Sequence, residues 1–246
     1  MASASSAAYD YPAIAKMIDH ALLAPTLTAD DLESGIRLAR AYDVASVCIM
    51  PFAVARCAEL LQGSTVVPST TIGFPHGANT MAVKQAEAER AIADGCIELD
   101  MVVNISLVLS DRWSEVADDL RAVIEPAHAS GRLVKVIFEN CYLDDSRKIR
   151  LCELCGELQA DWVKTSTGFG SSGATMADLL LMRRHSPPQV QVKAAGGIRD
   201  FDMLLQVREA GVSRVGSSRT AELLDACRAS LQLPPIDTPR SSAAGY

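Results

Sequence analysis

The chain has 246 residues, of which 49% are hydrophobic, 22% charged and 5% aromatic. This composition is typical of a globular protein that buries its own core without disulfides or a structural metal. The formal net charge of −7 argues against a general nucleic-acid surface, although it leaves room for a small basic pocket that binds an anionic metabolite.

The sequence predicts neither a targeting signal nor a membrane span. Residues 1–9 are small and polar, and no apolar run approaches the roughly 18 residues that cross a bilayer. Seven cysteines, an odd number, are spread through apolar segments, as expected for reduced thiols in a cytoplasmic protein. Cys152 and Cys155 have the spacing of a redox or zinc pair, but no second pair follows at ligand spacing. We therefore expect them to pack in the core, and we predict no metal site.

Short runs rich in β-branched residues alternate with amphipathic helical patterns along the chain. The apolar spacing switches between about 2 and about 3.6 residues, as strands and helices require. Helix caps are predicted at Thr28, Asn79, Ser110 and Asp200, and helix ends at Gly63, Gly95, Gly131 and Gly211. Strands are predicted at 18–22, 45–49, 66–72, 96–102, 133–139, 162–166, 190–194 and 213–216. Helices are predicted near 29–42, 52–62, 80–94, 113–129, 145–158, 174–184, 200–210 and 219–229.

Eight strand–helix units in succession predict a single-domain (β/α)₈ TIM barrel over residues 10–233. The alternative is an open doubly wound sheet, but no Gly-x-Gly-x-x-Gly follows the first strand, which weakens a dinucleotide-binding interpretation. Residues 1–9 and 234–246 are rich in Ala, Ser and Pro, and we expect both to be mobile flanking segments.

Two lysines lie inside neighbouring predicted strands. Lys164 is in the sixth strand and Lys193 in the seventh, and alternation places them opposite the apolar Val163 and Val192. The valines would face the helices, so both lysines would point into the barrel, where an unpaired ammonium group is costly.

Acidic residues and a further lysine show the same alternation. Glu98 and Asp100 share one face of the fourth strand, Lys135 and Glu139 share one face of the fifth, and Asp19 lies in the first. The barrel would therefore hold a mixed ionic network near its mouth.

A lysine attacks a carbonyl only as the free amine, and its ordinary pKa of about 10.4 leaves little amine at pH 7. Desolvation and a second cation nearby both favour the neutral form, and a neighbouring carboxylate can move protons. The pair Lys164 and Lys193 therefore predicts imine-forming carbonyl chemistry. The alternative is that these lysines and acids form buried ion pairs that only hold the strands together.

Glycine- and serine-bearing turns follow the last three predicted strands, at 165–168, 195–198 and 216–218. In barrels, the loops after the last strands often bind phosphate through backbone amides. We therefore predict a phosphate site, with ordinary turn chemistry as the alternative. Arg199 and Arg219 could add positive charge there or could be solvated helix-start residues.

Six ordered segments carry a more specific signal. They are Ile18-Asp-His-Ala-Leu-Leu, Ser46-Val-Cys-Ile, Glu98-Leu-Asp-Met-Val-Val-Asn104, Lys135-Val-Ile-Phe-Glu139, Val163-Lys-Thr-Ser-Thr-Gly168 and Val192-Lys-Ala-Ala-Gly-Gly197. On these segments the chain resembles the deoxyribose-phosphate aldolases over nearly its whole length. The resemblance implies reversible cleavage of 2-deoxy-D-ribose 5-phosphate to acetaldehyde and D-glyceraldehyde 3-phosphate, without a metal or other cofactor.

The resemblance also implies roles for single residues. Lys164 would form the imine with the substrate aldehyde, Lys193 would lower the pKa of that amine, and Asp100 would move protons. Asp19 and Lys135 match supporting polar positions. The phosphate-loop positions that match are Gly168, Gly196, Gly197, Ser218 and, more loosely, Ser217.

Four further positions are of interest. Phe169 stands where some relatives carry a phosphate-contacting lysine, and Arg219 where some have a second serine. Tyr246 matches the terminal tyrosine that a mobile tail brings to the active site in some relatives. Cys48, predicted at a strand end, is a hypothetical target for unsaturated aldehyde by-products.

Two other functions stay open from the sequence. One is another lysine aldolase or a transaldolase-like barrel with a different phosphosugar, and the other is a non-catalytic barrel that binds a sugar phosphate or a protein partner. We expect phosphosugar and aldehyde substrates, no nucleic-acid or membrane partner, and a homo-oligomer, most simply a dimer.

Overall fold

The computed structural model describes residues 9–237, in which eight parallel strands close into a barrel. The strands follow one another in chain order, and the last strand pairs back to the first. The predicted (β/α)₈ barrel is confirmed, and the open sheet is wrong. Strands β1 to β8 are Ile18–Leu22, Ser46–Ile49, Val67–Ile72, Glu98–Val102, Leu133–Ile137, Trp162–Lys164, Gln191–Ala195 and Arg214–Ser217.

Ten α-helices occur in the described part of the chain. Two of them, Tyr11–Ala15 and Ile105–Leu109, were not predicted because each has only five residues and too short a pattern to show a period. Helices α1 to α10 are Tyr11–Ala15, Ala29–Ala41, Val54–Leu60, Met81–Ala93, Ile105–Leu109, Trp113–Ala129, Asp145–Glu157, Met176–His185, Phe201–Glu209 and Thr220–Ser230. Two short 3₁₀ helices, Pro51–Ala53 and Asn140–Tyr142, follow β2 and β5.

The helix boundaries test the predicted caps. Thr28 and Asp200 each accept a hydrogen bond from a backbone amide of the helix that follows, as predicted. Asn79 and Ser110 are not the caps of α4 and α6: α4 begins one residue later than expected, and Ser110 closes the short α5. The predicted helix-ending glycines Gly63, Gly95, Gly131 and Gly211 all have positive φ angles.

The strands separate an apolar layer from a charged interior. Val163 and Val192 are fully buried among the core residues between strands and helices, while Lys164 and Lys193 on the same strands are buried in the barrel interior. The placement expected from strand alternation is confirmed. Cys152 and Cys155 are buried in the core as free thiols, which confirms the packing prediction.

Two predicted strands are too long at the barrel mouth. The prediction ended the fifth strand at 139 and the sixth at 166, but β5 ends at Ile137 and β6 at Lys164. The chain turns away after β5 because Glu139 adopts a left-handed backbone conformation, with φ of 55°. Most of the predicted flanking segments 1–9 and 234–246 lies outside the described residues, and the domain boundaries stay predictions.

Candidate active site

Asp100 on β4 lies at the centre of a cluster of lysines inside the barrel. Its carboxylate accepts hydrogen bonds from the Nζ atoms of Lys135 at 2.8 Å, Lys164 at 2.7 Å and Lys193 at 2.7 Å. Strand register explains the meeting, since Asp100 pairs with Lys135 across β4 and β5, and Lys164 pairs with Lys193 across β6 and β7. The structure thus brings together Lys164, Lys193 and Asp100, the three residues to which the sequence analysis gave chemical roles.

A second acidic residue, Asp19 on β1, anchors the far side of this cluster. Its carboxylate accepts from Lys193 Nζ at 2.5 Å, from Arg214 Nη1 at 2.6 Å and from the Ser46 hydroxyl at 2.7 Å. Asp19 is completely buried. Asp19, which was predicted to be a supporting residue, therefore contacts Lys193 directly.

Arg214 on β8 is a member of the network that the sequence analysis missed. Its guanidinium donates to both carboxylate oxygens of Glu98 at 3.0 Å, and it stacks on the Trp162 ring at 4.9 Å. Lys135 Nζ lies 2.6 Å from the same Glu98 carboxylate. The available signal was alternation on β8, because Val215 is fully buried and directs its neighbour Arg214 to the opposite, inward face.

The lysines of this network differ in their pKa. Burial lowers the pKa of the Lys164 amine, and the Lys193 cation lowers it further against the opposing effect of the Asp100 carboxylate. Burial alone would also lower the pKa of Lys193 and Lys135, but contact with two or more carboxylates raises both above the ordinary value. Lys164 is thus the lysine of this cluster that most readily gives up its proton.

The acids respond in the opposite sense. Burial alone would raise the pKa of the Asp100 carboxyl, but the ammonium groups of Lys135, Lys164 and Lys193 hold it well below its usual range. Burial opposes ionisation of Asp19 as well, and the cations of Lys193, Lys135 and Arg214 lower its pKa in turn. Ionised carboxylates therefore sit beside an amine that can be neutral, which is the arrangement that imine chemistry requires.

A cavity of about 320 Å³ opens over this network. Lys164, Lys193, Asp19 and Cys48 line it. The predicted phosphate-loop residues Gly168, Gly196, Gly197, Ser217 and Ser218 line the same cavity, together with Arg199 and Arg219. One space therefore connects the amine with the glycine turns after β6, β7 and β8.

The turns after β6 and β7 pack backbone against backbone. A Cβ atom on Gly173 would lie 2.5 Å from the carbonyl carbon of Gly196, which itself has a φ of 73°. Neither position accommodates a larger residue without moving the other turn.

Arg219 Nη1 donates to the Arg199 carbonyl oxygen at 2.9 Å, and its guanidinium also pairs with Glu222. The positive charge of Arg219 is thus held at the rim of the cavity.

Three further residues that the sequence analysis named are Phe169, Cys48 and Tyr246. The half-exposed Phe169 ring contacts Phe74 edge-to-face, at 5.4 Å between centroids, so this position makes an apolar contact. Cys48 Sγ lies 4.0 Å from Asp100 Oδ2, and burial raises the pKa of its thiol. Tyr246 lies outside the described residues.

Within residues 9–237, no cluster of three His, Cys, Asp or Glu is placed to hold a metal, and no helix could cross a membrane.

A family model described as DeoC/LacD family aldolase matches residues 13–227. The chain belongs to this aldolase family. It is 60% identical over 238 residues to a deoxyribose-phosphate aldolase of Rhodopirellula baltica, covering 97% of this chain and 99% of that protein. It is 45% identical over 211 residues to a deoxyribose-phosphate aldolase of Lysinibacillus sphaericus, covering 86% of this chain and 94% of the relative. The family resemblance inferred from the six segments is confirmed.

Solved structures agree with this family assignment. The tetrameric deoxyribose phosphate aldolase from Aeropyrum pernix superimposes with a TM-score of 0.83 at 28% identity, covering 89% of this chain and 92% of that one. Orotidine 5′-phosphate decarboxylase from Pyrococcus horikoshii, at 12% identity and a TM-score of 0.61, shares the barrel fold alone. The aldolase family is therefore supported by sequence and by structure.

Proposed function

We propose that this DeoC/LacD family aldolase reversibly cleaves 2-deoxy-D-ribose 5-phosphate to acetaldehyde and D-glyceraldehyde 3-phosphate through a lysine Schiff base. The observation that carries the proposal is the buried Lys164 amine, whose pKa is lowered and which shares the Asp100 carboxylate with Lys193. Curated relatives that the chain matches over 99% and 94% of their own length bear this name.

Lys164 is the nucleophile of the proposed reaction. Its neutral Nζ adds to the C1 aldehyde, and loss of water with uptake of one proton gives a positively charged imine. The C2–C3 bond then breaks, its electron pair moves toward the imine nitrogen, and the C3 hydroxyl loses its proton as glyceraldehyde 3-phosphate leaves. The enamine that remains takes a proton at C2, and water releases acetaldehyde and the free amine. The imine nitrogen is therefore the electron sink of the cleavage.

The neighbouring groups control the protons of this sequence. Lys193 stays charged, since carboxylate contacts raise its pKa, and its cation keeps the Lys164 amine neutral. Asp100 contacts both amines at 2.7 Å and stays ionised, so it passes protons rather than storing them. Asp19 and Lys135 fix the positions of Lys193 and Asp100.

The glycine turns supply the proposed phosphate site. Gly168, Gly196 and Gly197 line the same cavity as Lys164, and so do Ser217 and Ser218. Backbone amides and a hydroxyl at this end of a barrel are typical phosphate ligands. An open-chain sugar with its aldehyde at Lys164 would then extend its phosphate toward the turns after β6, β7 and β8.

Trapping of the imine tests the assignment of Lys164. Acetaldehyde with borohydride should leave one reduced adduct per chain, and peptide mapping should place it on Lys164. The variant Lys164→Leu should take up no adduct, while Lys84→Met, which removes a buried lysine in α4, should label like the wild type. An adduct on any other residue would overturn the assignment.

A donor screen separates this reaction from those of other lysine aldolases. Acceptance of acetaldehyde as the donor in the reverse direction supports the proposal. Exclusive use of dihydroxyacetone phosphate or pyruvate would instead indicate a different aldolase, and no turnover with any donor would favour a binding protein.

We further propose a cytoplasmic homo-oligomer, with a dimer as the expected state. The seven cysteines are all free thiols, which is the usual state in a reducing compartment. Sedimentation velocity would measure the assembly. The catalytic unit proposed is residues 10–233, and the role of Tyr246 stays a prediction.

A further inference from the structure

Glu139 is the residue where the chain leaves β5 at the barrel mouth. It is buried, with 2% exposure, and its backbone is left-handed, with φ of 55° and ψ of 65°. A residue with a long side chain seldom adopts this conformation, and it persists only where the surroundings hold it. The side chain contacts of Glu139 show what holds it.

The Glu139 carboxylate is bound to the turn after β6. The backbone amide of Thr167 donates to its two oxygens at 3.3 and 3.2 Å, and the Thr167 hydroxyl donates to one of them. The same hydroxyl accepts from the Phe169 amide at 3.0 Å. Next to Glu139, the Asn140 amide donates to the Thr165 carbonyl at 2.9 Å. Glu139 therefore fixes one flank of Gly168.

Close packing fixes the other flank of Gly168. A Cβ atom on Gly170 would lie 3.0 Å from the Glu139 carboxyl carbon and 2.8 Å from Cys141 Sγ. The backbone of Gly170 can thus approach the Glu139 side chain only because it carries no side chain of its own. Thr167, Gly168 and Gly170 all line the cavity.

We infer that Glu139 is a positioning residue for substrate binding at the phosphate end, which acts by holding the turn of residues 167–170 against β5. Glu139 is not among the residues that line the cavity, but it contacts Thr167, which does. The inference rests on the proposed function, because it takes this turn to hold the 5-phosphate. The Lys164 amine on β6 belongs to a separate set of contacts, with Asp100, so imine formation does not depend on Glu139.

Steady-state kinetics of Glu139 variants on two substrates test this inference. Glu139→Gly relieves the left-handed backbone and removes the carboxylate, and Glu139→Asp keeps the charge but shortens the reach. Both should raise KM for 2-deoxyribose 5-phosphate about tenfold, the loss expected for hydrogen bonds to a charged group. Their kcat, and kcat/KM for unphosphorylated 2-deoxyribose, should change by less than about twofold. Glu139→Gln retains two hydrogen-bonding atoms for Thr167 and should restore KM to within about threefold.

Gln159→Gly is the matched control. Gln159 also has a left-handed backbone, with φ of 60°, but it is exposed and lies before β6, at the opposite end of the barrel. It should change neither substrate's KM. If Glu139→Gly does not fold, the Glu139→Asp variant decides the same comparison.

Two results would overturn the inference. One is an unchanged KM for the phosphorylated substrate in a folded Glu139→Asp protein, and the other is an equal loss on both substrates, which indicates general damage. Failure of the proposed function looks different, because the wild type would then neither turn over deoxyribose phosphate nor trap acetaldehyde on Lys164.

Discussion

Replacement of Lys193 by methionine separates the electrostatic role of this lysine from its packing. Methionine is apolar and unbranched, so it fills much of the space of the lysine stem without the charge. Lys164 and Lys193 each lie 2.7 Å from the same oxygen of Asp100, so their Nζ atoms cannot be farther apart than twice that distance. The variant therefore removes a cation that stands next to the proposed nucleophile.

The geometry sets the size of the effect. Two unit charges about 5 Å apart interact by about 3 kcal/mol at an effective dielectric constant of about 20, which corresponds to a rate change on the order of a hundredfold. Without Lys193, the Asp100 carboxylate also acts more strongly on Lys164, since it has lost one of its partners. Both changes raise the pKa of the Lys164 amine and leave less of it neutral at pH 7.

The assay is kcat/KM for deoxyribose phosphate cleavage as a function of pH, which reports ionisations of the free enzyme. Only the neutral amine reacts, so activity should rise as pH rises through the pKa of Lys164. Because the wild-type pKa is lowered, the wild type should reach its plateau at a lower pH than Lys193→Met. The deficit of the variant should thus be largest near pH 7 and shrink toward high pH.

Lys84→Met is the control for loss of a buried lysine. Lys84 Nζ binds Asp119 at 2.6 Å and the Val102 carbonyl at 2.9 Å, in contacts between α4, α6 and β4 rather than in the barrel interior. This variant should lose stability but keep the wild-type pH profile. A Lys193→Met enzyme with the same fractional deficit at every pH would refute the electrostatic explanation.

Two further predictions concern His20 and Cys48. Burial lowers the pKa of His20 to about 4, so its stabilising effect is complete above the unfolded value of about 6.5 and is lost as pH falls toward 4. Between pH 7 and pH 5, urea unfolding should show about 2 kcal/mol less loss of stability in His20→Asn than in the wild type, and equal losses would contradict this. Cys48 lines the cavity, so Cys48→Ala should slow inactivation by an unsaturated aldehyde. Because burial raises the pKa of this thiol, wild-type inactivation should quicken at higher pH, and equal rates in both proteins would disprove the hypothesis.

The interior of the barrel was predictable from the sequence because it depends on one rule applied eight times. Side chains alternate along each strand, and closure sends every inward face into one space. Lys164, Lys193, Asp100, Asp19 and Lys135 could therefore be expected to meet, although they lie as far as 174 residues apart in the chain.

The structure of the barrel mouth was less predictable because it depends on contacts between loops. Glu139 seemed from alternation to be an inward strand residue like Lys135, yet its backbone turns and its carboxylate binds Thr167, 28 residues away. No local pattern encodes that pairing. Arg214 was missed for a different reason, since its strand has only four residues and the alternation of Arg214 with Val215 is therefore a weak signal.

The composition of the interior network gives a physical reason for a neutral Lys164. Among the described residues joined by these ion pairs, the carboxylates of Asp19, Glu98 and Asp100 face four basic side chains. The four basic residues are Lys135, Lys164, Lys193 and Arg214. With every group ionised, a buried excess of one positive charge would remain, and burial makes such an excess costly.

Release of one proton removes this excess, and contact with acids decides which amine releases it. Lys135 contacts three carboxylates and Lys193 two, whereas Lys164 contacts Asp100 alone. Lys164 is therefore the group whose neutral form costs least. The positive imine formed on Lys164 brings the excess charge back. Movement of the C2–C3 bond electrons into that imine removes it again. The same imbalance that frees the amine thus also favours the cleavage step, because the enamine restores a neutral interior.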